Sequence, residues 1–96
     1  MADLLNPDAL HHALDRLDGW EGTTERICKT YTFSDFAESL RFVNRVADIA
    51  EEMNHHPDVF IRWNKVTLEI RSHAAGGVTQ ACVELAHRAD AQVTPG

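Results

Sequence analysis

Glu51-Glu52-Met53-Asn54-His55-His56-Pro57-Asp58-Val59-Phe60-Ile61-Arg62-Trp63-Asn64-Lys65-Val66 joins two kinds of order. Before it, apolar residues recur at the spacing of a helix, and within and after it they alternate as in strands. On the helical side, Phe36, Leu40, Phe42, Val43, Val46, Ala47, Ile49, Ala50 and Met53 fall within an arc of about 180° when each residue turns by 100°. Glu38, Arg41, Arg45, Asp48 and Glu52 occupy the opposite side. So wide an apolar arc exceeds what one side of a small sheet covers, and a second partner is expected, either another helix or another subunit. Glu51 lies beside the arc and is expected to look inward, or nearly so. Pro57 closes the helical region, because the residue before a proline is pushed out of the α basin. Val59, Ile61 and Trp63, and then Val66, Leu68 and Ile70, alternate with polar neighbours, which predicts two antiparallel strands joined by the turn pair Asn64-Lys65. If Trp63 and Val66 flank that turn, His56 falls opposite His73 with side chains roughly 5 Å apart.

Working outward, Asn6 before Pro7 predicts a helix start, and Leu10, Ala13, Leu14 and Leu17 recur at helical spacing until Gly19. His11 and His12 fall off that stripe and read as a solvated face. A short strand around Trp20 should precede a second in which Ile27, Tyr31 and Phe33 point one way and Cys28, Thr30 and Thr32 the other; Lys29 is a mismatch on the apolar side. Ser34 can cap the long helix. After Gly76-Gly77, Thr79 caps a last helix with Val83, Ala86 and Ala89 inward, Leu85 at its flank and Val78 placed for a staple. The tail from Gln92 has no periodicity and should fray. Helix, two strands, helix, two strands, helix predicts an α+β domain over residues 1–96: a four-stranded antiparallel sheet with three helices on one face.

The 96 residues suit one small domain that buries about 60 to 65% of its extended surface. With 44% apolar and 25% charged residues the chain is of the ordinary globular class. A net charge of −6 and scattered basic residues argue against direct contact with nucleic acid. No export signal opens the chain and no 18-residue apolar run occurs, so a cytoplasmic protein without membrane contact is expected. Cys28 and Cys82 fit neither a metal motif nor a disulfide scaffold and read as buried or half-buried thiols.

His55, His56 and His73 gathered near Glu51 concentrate groups that titrate near neutrality. Three readings fit: polar corner residues bonded to backbone, a zinc site, or metal-free acid and base catalysis. Adjacent His55 and His56 alternate direction in an extended segment, which makes joint ligation of one metal awkward.

Glu51, then His55-His56-Pro57, Phe60, the turn Trp63-Asn64-Lys65-Val66, His73 and Gly76-Gly77-Val78-Thr79 together resemble the pterin-4a-carbinolamine dehydratase family, over a stretch from Gly19-Trp20 to about Leu85. The resemblance implies His55, His56 and His73 as catalytic residues, with Glu51, Pro57 and Trp63 supporting them or binding substrate. It implies dehydration of a 4a-hydroxytetrahydropterin to the quinonoid dihydropterin in pterin cofactor recycling, with no metal or other cofactor, by a homodimer or homotetramer. A non-catalytic pterin-binding or dimer-stabilising module on the same fold is the alternative. The family has aspartate where this chain has Cys82. Read by itself, position 82 completes a helix cap, so Cys82→Asp is expected to stabilise the fold by roughly 0.5 to 1 kcal/mol and to change turnover little.

Overall fold

The computed structural model describes residues 3–93. Its elements are α1 (Pro7–Asp15), β1 (Glu21–Gly22), β2 (Ile27–Thr32), α2 (Phe36–Met53), β3 (Asp58–Arg62), β4 (Lys65–Ile70) and α3 (Gln80–Asp90). The strands form one antiparallel sheet in the order β1-β2-β4-β3, so β2 and β4 are central and β3 is an edge. Ile27 and Tyr31 of β2 and Val66, Leu68 and Ile70 of β4 lie on the buried face, where the helices pack. This is the α+β arrangement expected from the periodicities. The fraying expected of the tail concerns residues that lie largely outside those described.

Aromatic packing fills the middle of the core. Phe42 of α2 is fully buried, with ring centroids 4.6 Å from Tyr31 and 5.1 Å from Phe33. Such pairs contribute about 0.5 to 1.5 kcal/mol each beyond the area they bury. Lys29, the mismatch on the apolar side of β2, has a purpose. Its ammonium donates to Asp90 Oδ1 at 3.0 Å and to the Asp18 carbonyl at 2.8 Å. Asp90 stands in the last turn of α3, where the helix dipole disfavours a negative charge. Three donors compensate, since Trp20 Nε1 at 3.1 Å and the Tyr31 hydroxyl at 2.5 Å also donate to Oδ1. Burial, and then this bond, push the Tyr31 hydroxyl well above its ordinary value. The last turn of α3 is thereby tied to β2.

Two local expectations change. The cap of α2 is Asp35, whose side chain accepts from the Glu38 amide; the Ser34 hydroxyl donates to the Glu38 carboxylate instead. Both residues suit a cap, and the chain uses the one whose charge also favours the positive helix end. The β3–β4 hairpin pairs Arg62 with Lys65 and Ile61 with Val66, a register two residues from the one expected. Trp63 and Asn64 make its tip, with Trp63 taking the left-handed conformation at φ 53°. Asn64 is pinned elsewhere: its side-chain amide donates to the Phe33 carbonyl at 3.0 Å, and its carbonyl accepts from the Phe33 amide at 2.8 Å. That double contact with the end of β2 fixes the tip. A shift of two preserves the faces, so the core is unaffected.

Candidate functional site

His55, His56 and His73 all sit outside the strands, at one end of the fold. α2 ends at Asn54, which takes the left-handed conformation and turns the chain sharply; the His55 amide still donates to the Ala50 carbonyl at 3.0 Å. His73 stands in the tight loop between β4 and α3, closed by Ser72 N–H donating to the Gly77 carbonyl at 2.7 Å. Gly77 could not carry a side chain, because a Cβ would meet the Thr24 carbonyl oxygen at 2.5 Å. The loop delivers the chain to Thr79, the cap of α3. The C-terminus of α2, the His73 loop and the N-terminus of α3 therefore converge.

His55 faces α3. Its Nε2 lies 3.1 Å from the sulfur of Cys82, at the third position of that helix and fully buried. The sulfur also accepts from the Thr79 amide at 3.4 Å, which completes the helix cap. Burial, and then the proximity of His56 and His73, push the His55 imidazole below its ordinary pKa. All three rings thus share one electrostatic neighbourhood. His56 turns the other way and pairs through Nε2 with the Glu51 carboxylate. Glu51 does not look inward: its side chain is 75% exposed in the single chain. Position beside the apolar arc brings it to the edge of an open groove, not to the core.

That groove holds about 250 Å3 between α2 and β3, with Val43, Val46, Ala47, Ala50 and Val59 along it and Glu51, His56 and Pro57 at its end. Pro57 is half-buried there. Trp63 is the predicted site residue that does not join the others. It lies at the far end of β3, 70% exposed, and seven residues of near-extended chain separate it from His56, roughly 20 Å. A wider cleft of about 420 Å3 between α1 and α3 is lined in part by His12, Arg16 and His87 and shares no residue with the histidine cluster. Among the described residues no group of three His, Cys, Asp or Glu side chains is arranged to hold a metal ion.

A paired carboxylate and imidazole beside a second imidazole whose pKa is lowered can move protons to and from a small ligand. A sequence profile for pterin 4 alpha carbinolamine dehydratase matches residues 3–92. The chain belongs to that family. A protein of Thermosynechococcus vestitus that bears the family's name is 44% identical over 86 residues, 90% of each chain. A crystal structure from Brucella melitensis, described as a transcriptional coactivator/pterin dehydratase, superimposes with a TM-score of 0.92 at 30% identity, covering 96% of this chain and all of that one. The fold extends to a pterin dehydratase-like protein described as a RuBisCO assembly factor of the alpha-carboxysome, with a TM-score of 0.65 at 22% identity over 80% of this chain and 89% of that one.

Within the family pattern, the contact between His55 and Cys82 is what sequence reasoning missed. The two residues are 27 positions apart, and only the departure from aspartate drew attention to position 82. Because the sulfur touches an imidazole of the cluster, Cys82→Asp changes the site as well as the cap, and the expectation of nearly unchanged turnover no longer follows.

Proposed function

We propose that the protein dehydrates a 4a-hydroxytetrahydropterin to the quinonoid dihydropterin, with His55, His56 and His73 forming one metal-free site. The observation that carries this reading is the convergence of three imidazoles on one end of the fold in a member of the pterin dehydratase family, one of them paired with Glu51. The chemistry matches. The C4a hydroxyl leaves as water after accepting a proton, a base removes the N5 proton, and the C4a–N5 double bond forms; a proton donor and a proton acceptor suffice. Glu51 supports the His56 side of the site, and Pro57 helps close the groove beside it. Trp63 contributes only by acting across from another copy.

The working unit is read as a homo-oligomer in the cytoplasm. Its interface is the α2–β3 side, where a second copy supplies what the single chain lacks. All five residues of β3 are exposed, and this edge strand lies beside the apolar groove. An exposed apolar edge strand is a template for pairing with another chain, and a second copy would cover it.

A binding or dimer-stabilising module on the same fold is favoured by one observation, the cysteine in place of the family's aspartate. Turnover of 4a-hydroxytetrahydropterin by the purified chain separates the two. The dehydratase reading expects acceleration over the spontaneous reaction, retained after exhaustive chelation. No acceleration would leave the binding module, and activity lost on chelation and restored by zinc would replace acid and base catalysis with a metal mechanism.

A further inference from the structure

We infer that Cys82 is a positioning residue that holds His55 as a neutral imidazole with its proton on Nδ1, by donating its own S–H to Nε2. The catalytic consequence rests on the dehydratase reading; the proton placement does not.

The sulfur has three polar neighbours: the Thr79 amide at 3.4 Å, the Thr79 hydroxyl at 3.5 Å and His55 Nε2 at 3.1 Å. The amide can only donate, so the sulfur accepts there. One thiol hydrogen remains for the other two. An imidazole nitrogen with a free lone pair is the nearer and the better acceptor, whereas sulfur is a weak acceptor for an imidazole N–H. The full burial of Cys82 leaves no water to compete.

Charge transfer within the pair is unfavourable. With an ordinary thiol near 8.5 and an ordinary imidazole near 6.5, the neutral pair exceeds the thiolate and imidazolium pair by about 100-fold. An aspartate near 3.9 inverts that order, by about 400-fold in favour of the charged pair. Burial of His55 also disfavours its charged form. The remaining titratable groups around His55 act the same way. His56 and His73 oppose a positive charge on it, and the Glu51 carboxylate is engaged with His56. In this chain, then, His55 presents an N–H donor away from Cys82 and stays uncharged at neutral pH, where an aspartate partner would hold it as imidazolium.

Long-range proton–nitrogen NMR of the histidine side chains tests this in the wild-type protein and in Cys82→Ser, Cys82→Ala and Cys82→Asp. The expected result is the Nδ1–H tautomer for wild-type His55, kept in Cys82→Ser and lost in Cys82→Ala. In Cys82→Asp the apparent pKa of His55 should rise by one unit or more, carrying with it the acid limb of the pH–rate profile. An Nε2–H tautomer in the wild type, or a His55 titration unmoved by Cys82→Asp, would overturn the inference. The wild-type tautomer is decisive even if a variant fails to fold. If the protein proves inactive while the tautomer is as stated, the dehydratase reading fails and this one stands.

Discussion

Replacing His55 or His73 by alanine is expected to lower turnover of 4a-hydroxytetrahydropterin by on the order of 10² or more, the usual loss when a proton-transfer group is removed. Stability should change far less. His73 is exposed in its loop, and such substitutions usually change stability by about 0.5 kcal/mol or less. His55 is half-buried, and its loss leaves the Cys82 thiol with its Thr79 contacts alone, a cost of about 1 kcal/mol. Rates compared at equal folded fraction, with melting temperatures alongside, separate catalysis from folding. Glu51→Gln should fall less, since it acts on His56 without meeting the reacting atoms. Full activity in both alanine variants would remove the histidines from the mechanism.

The second large effect concerns assembly. Ile61 of β3 points to the same side of the sheet as Val66, its buried partner on β4, yet is 39% exposed. Phe60 is 49% exposed on the opposite side. Ile61→Lys places a charge where the second copy is expected, and burying an unpaired charge costs several kcal/mol, enough to dissociate a dimer. Light scattering at assay concentration should find two or more chains together in the wild type and single chains, with unchanged circular dichroism, in the variant. A monomeric wild type would discard the oligomer.

Much of this fold could be read from the order of residues, because its elements repeat their periods cleanly. α2 and β4 carry apolar faces that tertiary contacts only had to cover. What sequence could not supply were contacts between distant segments. The hairpin register was misplaced by two because Asn64 looks like a left-handed turn residue, yet its side chain is bound to Phe33 and Trp63 takes the positive φ. Lys29 looked out of place until Asp90 arrived across 61 residues. Glu51 was placed correctly at the boundary of the helical arc, but the arc borders a groove and not a core on that side. His56 was expected opposite His73, but the register shifted by two removes that pairing and His56 turns to Glu51 instead; that the sulfur of Cys82 would stand against His55 could not be foreseen.

The account depends on three histidines serving one small ligand. The protein has six, and His11, His12 and His87 lie on exposed helix faces away from the cluster, which makes them internal controls. Titrating a non-reactive pterin analogue while following all six side chains by NMR is the direct test. The account predicts that His55, His56 and His73 shift together along one saturating curve while the other three stay still. Shifts confined to His12 and His87 at the α1–α3 cleft, or no shift in any histidine at saturating analogue, would contradict it.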